Sequence, residues 1–330
     1  MELRRTLVRE PEGGDGLSGA AADADGCPSR RSLGRTTGSG AHVVDTVRSP
    51  LVSPATFPNF AGKHALDAVF SPGEAVAQFL QDGELVVPRT VVLTYQAAVP
   101  RYLSEQGNRV LEGWPLGRLW VVERPGRELV GVLGGFGIGA PAAALVLELL
   151  IVLGAQRFVS LGAAGCLQPE IGLGEVVVAS AAVRDEGLSH HYLPIERFAH
   201  PSPELTRHLA RTLETRGVDY HRGPTWTIDA IFRETVAEAR SYQAEGIVTV
   251  DMEAAALFTV ASYRGVQLAS AFVVSDHLLA AERWTHILGS RQLAHGLETL
   301  LEAALDTLGA PEASTAGSDC AGATDGASPE

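Results

Sequence analysis

Runs of β-branched and apolar residues alternate with helical spacings of apolar residues through the middle of the chain. The short runs predict strands at Val91–Tyr95, Leu119–Val122, Glu128–Leu133, Arg157–Leu161, Gly174–Ala179, Ile247–Val250 and Gln267–Val274. The longer patterns predict helices through Arg101–Leu103 and over Ala142–Gly154, Pro203–Arg216 and Met252–Arg264. Strands that alternate with helices indicate an α/β fold, with a largely parallel or mixed sheet covered by helices. In such a sheet we expect sites at the carboxyl ends of the strands.

The two ends of the chain have a different composition. Residues 1–56 are dense in Gly, Ser, Ala, Asp and Arg and lack periodic apolar positions, so we expect a disordered extension. Residues 311–330 have the same character and predict a disordered tail. The remaining stretch, 57–310, is predicted to form one α/β domain, since single domains of this class reach such a length.

Charge and apolar content exclude several classes of partner. A net charge of −13 argues against a nucleic-acid backbone or an anionic membrane as the main partner. The longest apolar run, Ala140 to Ala155, is interrupted by Glu148 and is too short to span a bilayer. Three scattered cysteines and the adjacent His190 and His191 match no familiar zinc spacing. We therefore expect a cytoplasmic protein that carries no metal or cofactor.

Two glycine-rich segments follow predicted strands. The first, Gly134–Pro141, matches a loose dinucleotide fingerprint, but no acidic residue ends a strand about 20 residues later. Close approach of a small ligand or tight strand–helix packing explains it better. The second, Gly162–Gly165, is predicted to be a turn whose backbone N–H groups, beside Gly162 and Ala163, could face a ligand. An ordinary tight turn is the alternative.

Carboxylates follow two of the predicted strands. Asp251 and Glu253 flank Met252 where a buried strand meets an Ala-rich helix. Buried carboxylates need partners, and the adjacent hydroxyls of a ribose are suitable; acidic stabilisation of a helix N-terminus is the equal alternative. Ser275 and Asp276 follow the last strand, where a carboxyl with a raised pKa could act as a general acid or could cap a helix.

An aromatic and polar segment lies between these carboxylates in sequence. Trp226 and Phe232, with Asp229 and Arg233 beside them, are predicted to form a loop that could hold a flat base. Packing in the core is the equal alternative for Trp226.

The order of these motifs resembles the nucleoside phosphorylase superfamily, which holds purine nucleoside phosphorylases, uridine phosphorylases and methylthioadenosine nucleosidases. The resemblance covers about residues 88–305, and it is carried by Gly162–Gly165, Ile171–Val178, Val250–Ala255 and Val274–His277. It implies a single domain with a central mixed, partly barrel-like β-sheet flanked by helices. It also implies cleavage of the N-glycosidic bond of a nucleoside.

The resemblance assigns roles to particular residues. Met252 would pack on the sugar, and Glu253 would accept hydrogen bonds from the 2′ and 3′ hydroxyls. Asp276 matches the general acid of purine-cleaving members, which donates a proton toward N7 of the base. The segment from Trp226 to Phe232 falls where the family contacts the base. Family members complete their site with a neighbouring subunit, so the resemblance also implies a homo-oligomer, with His64 as one residue that a neighbour could receive.

The chain departs from the family at the phosphate site. Phosphorylases of the group hold phosphate with a Gly and an Arg in the first strand–helix turn, and with an Arg before the second glycine-rich segment and a hydroxyl residue inside it. Here Leu93–Val99 has neither Gly nor Arg at the matching places, Ser160 replaces the second Arg, and Ala163 replaces the hydroxyl residue. Without arginines, phosphate loses its charge-assisted hydrogen bonds. The sequence therefore predicts hydrolysis of a purine-type nucleoside.

Two alternatives remain open at this point. One is a phosphate-dependent nucleoside phosphorylase with a rearranged phosphate site, for which the candidate residues are Arg101, Arg184 and Arg233. The other is a nucleoside-binding or assembly protein that keeps the fold without turnover.

Overall fold

The computed structural model describes residues 57–58, 60, 62–80, 85–279 and 284–310. The predicted extension over 1–56 and the predicted tail over 311–330 lie outside the described residues. In the described part, no helix combines the length and the apolar character that crossing a membrane requires.

Strands and helices follow one another through the described residues. The strands are β1 (Thr90–Thr94), β2 (Arg109–Val110), β3 (Arg118–Val122), β4 (Val130–Gly134), β5 (Arg157–Cys166), β6 (Val176–Asp185), β7 (Phe198–Ala199), β8 (Tyr220–Ile228), β9 (Thr249–Asp251), β10 (Gln267–His277) and β11 (Thr285–His286). The α-helices are α1 (Pro72–Leu80), α2 (Ala98–Glu105), α3 (Ala140–Val152), α4 (Pro203–Thr215), α5 (Val236–Ala244), α6 (Ala254–Arg264) and α7 (Arg291–Leu308).

Five strands close into a mixed barrel. β10 pairs in parallel with β5 and antiparallel with β6, β6 and β9 each pair in parallel with β8, and β9 returns antiparallel to β5. From β5 the sheet continues outward through β1, β4, β3 and β2. This architecture confirms the predicted α/β fold with a partly barrel-like sheet.

Helices cover the sheet on both faces because successive strand residues point to opposite sides. Val91 and Leu93 of β1 pack in one apolar cluster with α3 and α6, whereas Val92 packs in a second cluster with α2, α4 and α7. The one charged side chain in the middle of α3, Glu148, is buried and accepts hydrogen bonds from Arg264 of α6 at 2.7 and 2.9 Å. This pairing offsets the cost of burying a carboxylate between the two helices.

The predicted turn at Gly162–Gly165 was wrong, because these residues continue β5. They pair with β10 as far as Cys166, with Gly165 opposite Asp276. A Cβ atom at Gly165 would lie 2.9 Å from Cγ1 of Val250 and 3.2 Å from Oδ2 of Asp276, so a larger side chain does not fit. The small residues therefore serve close packing inside the barrel rather than a change of chain direction.

Candidate active site

A cavity of about 520 Å³ opens at the carboxyl ends of β1, β5, β9 and β10. Its walls come from the residues that follow or end these strands and from the segment between β8 and α5. The lining residues with polar or charged side chains are Tyr95, Gln96, Glu234, Thr235, Asp251, Glu253, Ser275, Asp276 and Trp284. The main apolar ones are Ile138, Ile231, Phe232, Val236, Val250, Met252, Leu278, Leu279 and Leu288.

Asp251 is bound by the protein itself. Its Oδ2 accepts hydrogen bonds from the backbone N–H groups of Glu253 and Ala254 at 2.8 and 2.6 Å. Its Oδ1 accepts from the hydroxyls of Thr225 and Thr227 at 3.1 and 2.7 Å. Burial raises the pKa of Asp251, although these four donors oppose the shift. The carboxylate stabilises the start of α6 and fixes the backbone of Glu253, so we interpret Asp251 as a positioning residue rather than a direct ligand of substrate.

Glu253 lies at one end of the cavity, next to Met252. The backbone N–H of Gly139 donates to its Oε1 at 2.6 Å, across 114 positions of sequence. Gly139 has a φ of 89°, a conformation that side chains rarely adopt. Burial raises the pKa of Glu253 to about 8, and the nearby charge of Asp251 adds to the shift. The first glycine-rich segment thus holds a buried carboxyl rather than a dinucleotide.

Asp276 also lines the cavity. The Ser275 hydroxyl donates to its Oδ1 at 2.7 Å, and the Trp284 indole N–H donates to its Oδ2 at 2.9 Å. Asp276 is 9% exposed, whereas Trp284 is 58% exposed. The buried Ser275 hydroxyl and the exposed Trp284 side chain therefore orient the carboxyl group of Asp276.

Glu234 is a cavity residue that the sequence reasoning missed. It lines the same cavity as Asp276, and it lies just before the capping box that Thr235 and Glu238 form at the start of α5. Burial raises the pKa of Glu234 to about 7, with the charges of Asp276 and Glu238 adding to the shift. In the sequence, Glu234 directly follows Arg233 of the aromatic segment that was considered for base binding. Its position near Asp276 becomes visible only in the fold.

The predicted aromatic loop was wrong for Trp226. This residue belongs to β8, is fully buried and packs its ring 4.7 Å from that of Tyr242, and its indole N–H donates to Asp185 at 2.8 Å. It does not line the cavity, because β8 continues to Ile228, beyond the point where the loop was expected. Phe232 does line the cavity and is 92% exposed, while its neighbour Arg233 is not among the lining residues.

Three residues of β5 lie at different depths beneath the cavity. Ala163 lines it, whereas Ser160 and Gly162 do not. The Ser160 hydroxyl is buried and lies 2.9 Å from the hydroxyl of Tyr95, and the Tyr95 ring lies 3.4 Å from where a Cβ atom of Gly162 would be. Tyr95 therefore separates Ser160 and Gly162 from the cavity.

The cavity is rich in carboxyl groups. Its described lining holds four carboxyl side chains, Glu234, Asp251, Glu253 and Asp276, and neither Arg nor Lys. Of the three arginines considered for a rearranged phosphate site, none lines the cavity. Arg184 is buried and donates to Ser189 Oγ and to the carbonyl groups of Leu193 and Pro194.

A comparison with known protein families identifies the family of this chain. The sequence model of the phosphorylase superfamily matches residues 97–306, which is more than half of the chain. The chain belongs to the phosphorylase superfamily. The matched range includes Glu253 and Asp276, and the superfamily resemblance seen in the sequence is thereby confirmed.

Individual relatives within the superfamily share modest identity with the chain. Over 147 residues it is 30% identical to a guanosine phosphorylase of Halorubrum lacusprofundi, covering 44% of this chain and 61% of that protein. It is 33% identical over 147 residues to a uridine phosphorylase of Thermococcus kodakarensis, covering 40% of this chain and 52% of that protein. The chain thus spans less than two thirds of the length of these relatives. The crystal structure of uridine phosphorylase from Vibrio fischeri matches 67% of this chain and 92% of its own, with 27% identity and a TM-score of 0.59.

Proposed function

We propose that the protein hydrolyses the N-glycosidic bond of a purine-type nucleoside. The observation that carries this proposal is the composition of the cavity, whose described lining presents four carboxyl groups and no cationic side chain. A carboxylate-lined cavity suits the developing positive charge of an oxocarbenium-like transition state. It disfavours a phosphate dianion, which needs charge-assisted donors to offset its desolvation.

At the sugar end, Glu253 accepts hydrogen bonds from the 2′ and 3′ hydroxyls of the ribose, and Met252 packs on the sugar. Support comes from the hydrogen bond that Gly139 donates to Glu253, because it fixes the carboxyl before substrate arrives. Asp251 acts beneath Glu253 by fixing its backbone.

At the base end, Asp276 donates a proton toward N7 of the leaving base. Glu234 lines the cavity beside it, and burial raises the pKa of Glu234 to about 7, so Glu234 can supply the proton that Asp276 passes on. The C1′–N bond breaks with its electron pair going to the base, which takes this proton. A water oxygen bonds to C1′, and its extra proton leaves to solvent.

Phosphorolysis is the second candidate, and the names of the relatives favour it, since they are a guanosine phosphorylase and uridine phosphorylases. It requires cationic groups from beyond the described lining, for example from a second copy of the chain. The homo-oligomer implied by the sequence resemblance stays a prediction. We expect a second copy to cover the exposed apolar side chains that line the cavity, Ile138, Phe232 and Trp284.

The test incubates the full chain with purine and pyrimidine nucleosides, with and without phosphate, and separates the products by chromatography. We expect free base and free ribose from purine nucleosides in the absence of phosphate. Ribose 1-phosphate formed only in the presence of phosphate would replace this proposal with phosphorolysis. Tight nucleoside binding without product in either condition would establish a binding protein instead.

A further inference from the structure

A second cleft, of about 430 Å³, lies between α2 and the ends of β3 and β4. Its lining side chains include Arg101 and Ser104 of α2 and Arg118 and Trp120 of β3. Three glycines complete the wall, Gly117, Gly134 and Gly135. None of these residues lines the larger cavity.

The sequence spacing explains why these side chains meet. Arg118 and Trp120 are two positions apart on β3 and point to the same face of the sheet, which α2 covers. Arg101 and Ser104 are three positions apart on α2 and are therefore neighbours on the helix surface.

Glycine lets the helix and the strand ends approach one another here. A Cβ atom on Gly134 would lie 2.9 Å from Cγ of Pro100 in the first turn of α2. A Cβ atom on Gly117, which has a φ of 75°, would lie 2.5 Å from the Gly134 carbonyl oxygen and 2.9 Å from the Phe136 nitrogen. Larger residues at these two positions would force the wall of the cleft apart.

Among the described residues, the two arginines of the cleft have no acidic partner. Within the described ranges, neither Arg101 nor Arg118 makes an ion pair or a side-chain hydrogen bond, and both are exposed. By contrast, Arg124 pairs with both Glu302 and Asp306. Two unpaired guanidinium groups in one cleft are notable in a chain whose net charge is −13.

Trp120 supplies an independent observation. It is 2% exposed, and its indole N–H has no hydrogen-bond partner among the residues that the structure describes. The other three tryptophans of the chain each donate to an acceptor: the Leu116 carbonyl, Asp185 and Asp276. A buried donor without an acceptor costs free energy, about 1–3 kcal/mol in general, unless a ligand or water supplies the oxygen.

We propose that this cleft binds a phosphoryl group, carried either by inorganic phosphate or by a small phosphate monoester. Two guanidinium groups and an indole N–H together offer more donors than the two oxygens of a carboxylate use. The oxygens of a phosphoryl group match them, and guanidinium groups bind such oxygens in a bidentate manner. The cleft and its ligand are independent of whether water or phosphate attacks the nucleoside in the larger cavity.

The test titrates the full chain with inorganic phosphate and, separately, with ribose 5-phosphate, by calorimetry and by the NMR signals of the indole N–H groups. The Trp120 signal is assigned by comparison with Trp120→Phe. We expect saturable binding of at least one ligand, a shift of the Trp120 signal, and affinity reduced at least tenfold in the double variant Arg101→Ala/Arg118→Ala.

A matched control removes two exposed arginines from α4, Arg207→Ala/Arg211→Ala, and should bind as the unchanged protein does. Binding of ribose 5-phosphate alone would identify the ligand as a phosphate ester. Equal binding of ribose 5-phosphate and inorganic phosphate would show that the phosphoryl group is sufficient for binding. The proposal is overturned if neither ligand binds, or if binding survives in Arg101→Ala/Arg118→Ala. It is also overturned if the signal that moves is that of Trp284, which would locate the phosphoryl group in the larger cavity.

Discussion

Two carboxyl groups of the main cavity are held by different means. Glu253, at the proposed sugar end, is buried and accepts a hydrogen bond from the backbone of Gly139. Asp276, at the proposed base end, is held by the side chains of Ser275 and the exposed Trp284. Glu234 lines the same cavity and accepts no hydrogen bond from the described residues. A backbone donor thus fixes Glu253, whereas side chains hold Asp276.

The largest effect is expected at the base end, from Asp276→Asn. The amide cannot donate a carboxylic proton, so turnover should fall by about 10²–10⁴ while the fold is kept. Steady-state kinetics and thermal unfolding check this, with Asp219→Asn as a control for loss of an exposed carboxylate outside the cavity. Activity within a few-fold of the unchanged protein would remove Asp276 from the mechanism.

The sugar end is tested next by Glu253→Ala. Loss of its two hydrogen bonds to the ribose costs about 1–3 kcal/mol, which corresponds to about 5–150-fold in kcat/KM for ribosides. 2′,3′-Dideoxynucleosides lack the hydroxyls that Glu253 is proposed to bind. Their kcat/KM, which is lower than that of ribosides from the start, should therefore change little in Glu253→Ala. An equal loss on both kinds of substrate would show that Glu253 has another role.

Glu234→Gln should change the pH dependence more than the maximal rate. Burial and the neighbouring carboxylates raise the pKa of Glu234 to about 7. Glu234 is protonated below that pH and loses its proton above it, so activity of the unchanged protein should decline as the pH rises through about 7. Gln at position 234 does not titrate, so this decline should be absent from the variant.

The pH–rate profile of kcat/KM measures this shift. Glu204→Gln, which removes an exposed carboxylate from the start of α4, should leave the profile in place. A decline at the same pH in Glu234→Gln and in the unchanged protein would contradict a role for the Glu234 proton.

The smallest effect concerns stability at the sugar end. The folded-state pKa of Glu253, about 8, lies above the ordinary value of 4.5. Between these values the folded state binds more protons than the unfolded state, so this group lowers the free energy of unfolding as the pH rises from about 4.5 to 8. Glu253→Gln should remove that slope, which is at most about 1.4 kcal/mol per pH unit for one proton.

Urea unfolding at several pH values measures this difference between Glu253→Gln and the unchanged protein. The variant should gain relative stability toward pH 8. Parallel free-energy curves for the two proteins would contradict a buried, proton-retaining Glu253.

Most of the fold could be predicted from local sequence patterns. Most of the wrong predictions concern small or aromatic residues whose sequence pattern fits two different structures. The strand and helix periods locate β1, β3, β4, α3, α4, α6 and β10 to within a few residues. The small residues of Gly162–Gly165 resemble a turn, but they extend β5 because β10 pairs with them and Val250 lies against them. Trp226 resembles a base-binding residue, but it packs in the core on β8.

The sequence predicted which segments form the site, but not how their side chains contact one another. The strand-end carboxylates Glu253 and Asp276 are visible in the sequence because polar residues follow buried strands. The sequence does not show which carboxyl oxygens already accept hydrogen bonds within the protein. Asp251, for example, accepts them from Thr225 and Thr227 of another strand. The approach of Glu234 to Asp276 depends on the closing of the barrel, which brings the segment after β8 to the end of β10.

The most direct test of the central claim is the initial rate of base release from a purine nucleoside as a function of phosphate concentration, starting from protein and buffer depleted of phosphate. The account predicts a finite rate without phosphate that stays constant as phosphate is added, because the described lining of the cavity presents carboxyl groups and no cationic side chain. A rate that starts at zero and rises hyperbolically with phosphate would contradict it.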